Sequence, residues 1–313
     1  MRYLLTITLL LVFLCLLFDY IVIPNNITVV RSCITEAKKD GLFRIIIKDN
    51  KWKNSFDQNN SSSGDNKDFS YNNNLYKIDY KTVSSVIITI DENNKNIKSS
   101  LSFIPHEPDT TYLIWQASIP ASYNPYRRFS TYLFSRKLGN DMNEILKRLS
   151  SQYSKMEKVY GIDVKKEEVK DSVLISASIN INGFPTTPLI YQQIDKLKKF
   201  VKSEHGTVTG YPMLNITTGD SINYLVRVAL PVDRELTTTK DISYKRMMSK
   251  GKILKATVTG GYGSINAAFA NMNNYVSDYH FISPAIPFQS LITDRSTVTD
   301  SAKWITDIYY PVM

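Results

Sequence analysis

The pattern of hydrophobic and polar positions in residues 173–313 occurs twice. One segment opens at Val173 and closes on the alternating run that ends at Pro231-Val232, and a second opens at Ile253 and closes on a run that ends at Pro311-Val312. Position 253 is 80 residues after 173, and 311 is 80 residues after 231. Between its ends, each copy has a helix-like stretch and then a strand-like stretch that contains proline. This spacing indicates an internal duplication in which residues 173–232 and 253–312 each form a β-α-β-β unit.

The helix expected in each copy has an apolar stripe at three-and-four spacing. In the first copy Pro188 lies in the first turn, where proline is tolerated. In the second copy the helix follows the glycines of 260–263, with Ser264 as the expected N-cap. These glycines lack the spacing and the lysine of a phosphate-binding loop, so they predict a tight strand-to-helix turn. The stripes are Ile190, Ile194, Leu197 and Val201, and then Ile265, Ala268, Phe269, Met272, Val276 and Tyr279.

Residues 25–160 alternate strand-like and helix-like patterns in a different order. A closing helix that begins at Gly139-Asn140 presents one apolar face, made of Met142, Ile145, Leu146, Leu149, Tyr153 and Met156. Residues 57–74 are rich in Asn, Ser and Asp, which predicts an exposed insertion. The other expected elements are a strand over 27–35, a helix over 36–50, strand regions over 75–91 and 97–120, and a strand-like stretch over 129–135.

The amino terminus contains an apolar segment, Tyr3 to Ile23, long enough to cross a hydrocarbon layer that needs about 20 residues. No small-residue cleavage site follows it, which favours an uncleaved anchor (residues 1–24) over a removed signal peptide. We therefore expect the membrane as a partner through this helix, with the rest of the chain outside the cytoplasm.

Composition narrows the classes of function. The 313 residues suffice for about two domains. The net charge of +9 comes from lysines on helix-like faces and in a connector, without aromatic interleaving, so we expect no nucleic-acid partner. Cys15 and Cys33, and the scattered His106, His205 and His280, show no metal-ligand spacing, so we expect no metal and no cofactor.

The amino-terminal region resembles polyketide-cyclase-like, START-related (SRPBCC) proteins. The resemblance lies in Val29-Val-Arg-Ser-Cys-Ile-Thr35, Leu42-Phe43 and Asn50-Lys-Trp52, and Phe56 stands where the family usually has a second tryptophan. It implies a helix-grip domain over 25–160, in which the last helix lies across a curved antiparallel sheet and a cavity can remain between them.

Residues 165–313 resemble the GyrI-like, or bacterial effector-binding, domain of the SOUL superfamily. The matching features are Gly261-Tyr-Gly263 before a helix, Gly210-Tyr-Pro212 in a strand, and two final strands that end in Leu-Pro-Val and Tyr-Tyr-Pro-Val. The predicted fold class is therefore α+β: a transmembrane helix, a helix-grip domain and a duplicated β-α-β-β GyrI-like domain. The resemblance implies a small-molecule site in the cleft between the two copies.

Alternation in the final strands suggests which side chains face that cleft. The set Tyr224, Val226, Val228 and Leu230 should lie beneath the helix, which leaves Arg227 for the cleft. By the 80-residue offset, Asp307 and Tyr309 should face it from the second copy. Arg227 and Asp307 occupy equivalent places, so an ion pair between them across the cleft floor is one possibility.

The resemblance also implies an acidic residue on the proline-containing strand of the second copy, used by relatives that bind cationic lipophilic compounds. This chain has Gln289 there, after Pro287 and Phe288, and a neutral amide does not offset a buried cation. Cation binding would then depend on Asp307 or on aromatic faces. The predicted ligand-binding residues are Arg227, Tyr262, Phe288, Gln289, Trp304, Asp307 and Tyr309.

Three functions are compatible with these patterns. The favoured one is non-enzymatic binding of an apolar or amphipathic (lipophilic) small molecule. A hydrolase for a small lipophilic substrate is the alternative, for which Asp307 is the one carboxylate placed in the cleft as a base. A protein-interaction or inhibitor module is the third.

Overall fold

The structure, a computed structural model, describes residues 19–48, 68–92, 95–170, 173–219, 222–248 and 250–313. The chain divides into two compact units, Met1–Lys155 and Met156–Met313. Each unit is built on one antiparallel sheet, and each is described by itself below.

The sheet of the first unit has six strands in the order β1-β6-β5-β4-β3-β2. Alternation explains its faces: along β6, Leu113, Trp115, Ala117 and Ile119 are buried and the residues between them are more exposed. The strands are β1 (Asn26–Thr35), β2 (Asp68–Tyr71), β3 (Asn74–Lys81), β4 (Ser85–Glu92), β5 (Lys95–Pro105) and β6 (Thr111–Pro120).

Two helices accompany this sheet, α1 (Lys39–Lys48) and α2 (Pro125–Gln152). Helix α2 buries one face of its second half and lies against β1, where Arg31 Nε donates a hydrogen bond of 3.0 Å to the carbonyl of Gly139. The expected apolar face of the closing helix is confirmed for Met142, Ile145, Leu146 and Leu149, which are all buried, whereas Tyr153 and Met156 lie beyond the end of the helix at Gln152.

Two sequence-based predictions in this unit are wrong. Residues 129–135, expected to be strand-like, are helical, because α2 begins at Pro125 after Asn124, whose side chain accepts a hydrogen bond from Arg127 N (3.1 Å). The exposed insertion expected over 57–74 contains β2, in which Phe69 and Tyr71 are buried at alternate positions. Residues 57–67 of that expected insertion lie outside the described residues.

The predicted fold class needs correction at the amino terminus. Within the described parts of the chain, no helix has both the length and the apolar character needed to cross a bilayer. Positions 3–18 of the expected anchor lie outside the described residues. The transmembrane helix, the membrane as a partner and a single-pass location therefore find no support, and the fold is that of two mainly antiparallel sheets with helices.

The sheet of the second unit has eight strands in the order β11-β8-β10-β9-β13-β14-β12-β7. Its helices are α3 (Met156–Tyr160), α4 (Thr187–Ser203) and α5 (Tyr262–Asp278). The strands are β7 (Lys165–Glu168), β8 (Val173–Asn182), β9 (Met213–Thr218), β10 (Asn223–Pro231), β11 (Ser243–Arg246), β12 (Lys252–Thr259), β13 (Phe288–Leu291) and β14 (Ile305–Pro311).

The predicted duplication is present in this sheet. The first copy runs β8-α4-β9-β10 and the second β12-α5-β13-β14, and the copies join where β9 pairs with β13. Leu214 and Gln289, which each follow the strand proline by two residues, are direct partners in that pairing. The two copies therefore meet about a pseudo-twofold axis that passes between these residues.

Both long helices lie on one face of the sheet, which we call the helix face. Helix α4 buries its predicted stripe, with Ile190, Ile194, Leu197 and Val201 packed on Val226 and Val228 of β10. The confirmed burial of Val226, Val228 and Leu230 stabilises the fold by roughly 1.5–3 kcal/mol for each fully buried side chain.

Helix α5 packs on Leu254, Ala256 and Ile308 of the second copy. These residues lie on the helix face too, because Ile308 is aligned with Gln289, and Gln289 with Leu214 of the α4 core. The turn before α5 is tight, as predicted, but the N-cap is Gly261 and Ser264 lies inside the helix. Gly260, the residue before the N-cap, adopts φ +130°, a backbone conformation that glycine tolerates and that residues with a side chain rarely adopt.

Candidate functional site

A cavity of about 570 Å³ opens on the helix face between the two copies, and we call it the inter-repeat cleft. Strands β9 and β13 pair only through Leu214–Gln289 and Met213–Ser290, and the cavity opens beside this short contact. Its lining comes from both copies: Phe184, Leu214, Asn215, Ile216, Thr218, Tyr224, Tyr262, Asn266, Phe269, Pro287, Gln289 and Tyr310.

An aromatic wall runs along one side of the cleft. Phe184 makes edge contacts with Tyr224 and Tyr262, with ring centroids 5.6 and 5.0 Å apart. Tyr262 in turn meets Trp304 edge to face at 5.5 Å. Aromatic pairs in this geometry form a rigid apolar surface with little side-chain freedom to lose on binding.

One amide side chain of the cleft lining, that of Gln289, is held by an arginine. Gln289 Oε1 accepts a hydrogen bond of 2.9 Å from Arg295 Nη2. Because an arginine only donates, the amide oxygen of Gln289 is turned towards the guanidinium. The NH2 group of Gln289 is therefore left as the donor on the cleft side.

Arg295 lies behind this wall, with 3% of its surface exposed. Its Nη2 also donates to Thr306 Oγ1 (2.8 Å), and its guanidinium carbon lies 4.8 Å from the ring centre of Trp304 and 5.6 Å from that of Tyr262. Burial lowers the pKa of this guanidinium, while the nearby Tyr262 hydroxyl acts in the opposite direction. Arginine nevertheless stays charged at any ordinary pH.

The charge of Arg295 is incompletely satisfied. Its Nε and Nη1 atoms are buried without a hydrogen-bond partner, and the buried hydroxyl of Tyr262 lies close enough to interact with the guanidinium. No carboxylate in the described ranges forms an ion pair with Arg295. Its backbone N–H donates to the hydroxyl of Tyr191 at 2.6 Å, and burial raises the pKa of Tyr191 to about 12.

The opposite face of the sheet carries a different group of side chains. Asp307 Oδ2 lies 2.9 Å from Lys255 Nζ, and Asp307 Oδ1 accepts a hydrogen bond of 2.6 Å from Thr257 Oγ1. Phe288 stacks on Tyr309 with ring centroids 5.2 Å apart. These residues, apart from Thr257, line a smaller cavity of about 330 Å³, which we call the opposite-face pocket.

The predicted site residues therefore divide between two faces. Tyr262 and Gln289 line the inter-repeat cleft, and Trp304 lies directly behind Tyr262. Phe288, Asp307 and Tyr309 line the opposite-face pocket. Arg227 also projects from the opposite face, where it bonds to Asn215 and Thr217 of β9.

The suggested ion pair between Arg227 and Asp307 does not form. Strands β9 and β13 lie between β10 and β14, so the two residues are three strand spacings apart, or about 14 Å. Asp307 has Lys255 as its partner instead. The larger of the two cavities lies on the helix face, whereas the predicted residues Phe288, Asp307 and Tyr309 line the opposite-face pocket, which also has residues from both copies.

Sequence reasoning missed several residues of the cleft. Phe184 and Asn266 lie in the turn before α4 and in α5, where they look like ordinary surface positions. Arg295 lies in a Ser- and Thr-rich loop that reads as exposed. In the sequence, the one residue that indicates the cleft is Tyr310, which alternation places on the same face of the strand as Ile308.

No group of His, Cys, Asp or Glu side chains suited to a metal ion occurs in the part of the chain that the structure describes.

Comparison with known proteins adds a loose likeness in fold. No protein-family model and no curated protein matches the chain. Among solved structures it is similar to EcmrR in a complex with DNA, with TM-score 0.44, 20% identity, and coverage of 60% of this chain and 71% of that chain. The EcmrR C-terminal domain is similar at TM-score 0.39 and 18% identity, over 49% of this chain and 98% of the domain.

The di-domain ARO/CYC BexL from the BE-7585A biosynthetic pathway is similar at TM-score 0.31 and 7% identity, over 92% of this chain and 85% of that chain. These similarities are loose and concern the fold alone.

The sequence predicted no nucleic-acid partner, and this prediction is corrected because one of the similar structures is a complex with DNA. The likeness itself assigns no DNA-binding role to this chain.

Proposed function

We propose that this chain binds a small, largely apolar molecule in the inter-repeat cleft and acts by binding rather than by catalysis. The observation that carries the proposal is a cavity of about 570 Å³ at the seam of two copies of one fold unit, lined by side chains from both. Ligand sites in proteins have volumes of about 300–1,000 Å³ and are lined by apolar and aromatic groups with a few polar ones.

The chemistry of the lining favours an apolar ligand body. Five aromatic rings border the cleft, together with Leu214, Ile216 and Pro287, and the polar groups are amides and hydroxyls. A flat ring system can contact these rings over a large area, while the amides orient it. The predicted resemblance of residues 165–313 to effector-binding domains implies the same type of function.

The lining offers little to a hydrolase. No Asp, Glu or His side chain borders the cleft among its described residues. Asp307, the base that a hydrolase would use, lies on the opposite face and is held by Lys255 and Thr257. Hydrolysis needs a base within hydrogen-bond reach of a water molecule beside the substrate, and this arrangement supports binding instead.

Neighbouring tyrosines allow a matched test of the cleft. Tyr310 lines the inter-repeat cleft, and Tyr309 lines the opposite-face pocket from the same strand. We predict that Tyr310→Ala abolishes or strongly reduces the thermal stabilisation that apolar aromatic compounds give to the chain, because it removes a ring from the lining. Thermal-shift screening of wild type and both variants against one aromatic compound set measures this.

Tyr309→Ala should leave the response to the same compounds close to that of wild type. A compound whose stabilisation is lost with Tyr309→Ala and kept with Tyr310→Ala would move the site to the opposite-face pocket. A screen in which no compound stabilises wild type would count against the binding function.

A further inference from the structure

Arg295 places a positive charge beside the inter-repeat cleft, and no carboxylate among the described residues pairs with it, in a protein whose proposed function is to bind a ligand there. Building on that function, we infer that the cleft selects an aromatic carboxylate, with its anionic group beside Gln289 and Tyr262 in front of Arg295.

Burial makes the charge of Arg295 energetically costly. Arg295 is 3% exposed, and two of its nitrogens have no hydrogen-bond partner. Burying a charge is costly unless an opposite charge or hydrogen bonds compensate for it. The rings of Trp304 and Tyr262 compensate in part through their faces. A carboxylate in the cleft would supply the missing negative charge.

The hydrogen bond between Arg295 and Gln289 determines which polar group faces the cleft. Arg295 takes the oxygen of Gln289, so this side chain offers its NH2 group to the cleft. The hydroxyl of Tyr262 is buried beside Arg295 and interacts with its guanidinium. The NH2 group of Gln289 suits a carboxylate, which accepts hydrogen bonds at each of its oxygens. An ammonium group in the same place would be repelled by the charge of Arg295.

The charges of the side chains that line the cleft also favour an anion. None of the described residues that line the cleft has an acidic side chain. Gln289 is a neutral amide held by the cation Arg295, so the charge at this part of the cleft favours an anion.

A set of three probes with one ring system tests the inference on the full chain: 2-naphthoate, 2-naphthamide and 2-naphthylmethylammonium, titrated by naphthalene fluorescence. We expect 2-naphthoate to bind about ten-fold or more tightly than the amide, since a charge-assisted hydrogen bond is worth that much, and the ammonium to bind most weakly. Gln289→Glu places a carboxylate next to Arg295, so it should remove the preference for naphthoate and raise the affinity for the ammonium probe.

Arg295→Met should reduce naphthoate binding by a similar factor without any gain for the ammonium probe. Arg246→Met is the control, because Arg246 is exposed and paired with Glu235 at 2.9 Å, and it should leave all three affinities unchanged. Circular dichroism checks that each variant folds. If Arg295→Met does not fold, the affinities of Gln289→Glu alone test the inference.

The outcomes separate the two proposals. If all three probes bind wild type equally, or the ammonium binds best, the charge selection is overturned while the binding function stands. If no probe binds wild type, the binding function fails for ligands of this size and the charge selection fails with it.

Discussion

The Lys255–Asp307 pair shows how closely one carboxylate is held in this sheet. The carboxylate side chain is 8% exposed and the ammonium side chain 23% exposed, with 2.9 Å between Lys255 Nζ and Asp307 Oδ2. The hydrogen bond to Asp307 raises the pKa of Lys255 above its ordinary 10.5, with a smaller opposing effect of burial. The pair is therefore a structural contact on the opposite face.

We predict that Asp307→Asn lowers the free energy of unfolding by about 1–2 kcal/mol near neutral pH, because it leaves a partly buried ammonium without its carboxylate. Because the folded-state pKa of Lys255 is raised, the stabilisation is fully present below 10.5 and is lost as the pH rises through the folded value. Urea unfolding of wild type and variant at several pH values from 7 to about 11 measures the difference, which should shrink at the alkaline end.

Asp163→Asn is the matched control, since Asp163 and Lys165 form an exposed pair at 3.6 Å. It should change stability by less than about 0.5 kcal/mol. An Asp307→Asn variant as stable as this control would show that the Lys255 pair contributes nothing.

At the scale of single elements, the turn from β12 into α5 depends on one glycine. Gly260 has φ +130°, and a Cβ atom there would lie 2.6 Å from Ser264 Oγ. Its N–H also donates to the carbonyl of Trp304 at 2.8 Å, which ties the turn to the start of β14. This geometry places Tyr262 at the head of α5 against the cleft.

Gly260→Ala should destabilise the second unit by about 1–3 kcal/mol, because an L-residue is strained at this backbone conformation. Gly263→Ala is the control: it lies inside α5 with nothing within 4 Å of its Cβ position. It should be neutral or stabilise the fold by up to about 1 kcal/mol. Thermal unfolding of both variants measures this, and equal melting temperatures would contradict the account of the turn.

Element types were predictable where periodicity was strong. The duplicated order β-α-β-β and the stripes of α4 and α5 follow from three-and-four and alternate spacing, and the structure has them. The strand predicted for residues 129–135 was wrong because a short stretch of mixed apolar and polar residues resembles a strand when the helix start at Asn124 and Pro125 is overlooked. Local pattern therefore identified the long elements and missed where one of them begins.

At the scale of the whole molecule, the side of the sheet that holds the cleft was beyond the sequence. Alternation separates Tyr309 from Tyr310, and the apolar set of β10 indicates which face the helices cover, but neither pattern says on which face the larger cavity lies. The register between the copies, with Leu214 opposite Gln289, depends on contacts far apart in the chain. The same holds for Arg295, whose burial comes from Trp304, Tyr262 and Tyr191.

The most direct test of the binding site is a crystal structure of the full chain with 6-bromo-2-naphthoate, in which anomalous scattering locates the bromine. The account predicts one bromine peak in the inter-repeat cleft, among Phe184, Tyr262 and Tyr310, with the carboxylate towards Gln289. A bromine peak in the opposite-face pocket beside Lys255 and Tyr309, or a cleft without ligand density at saturating probe, would contradict it.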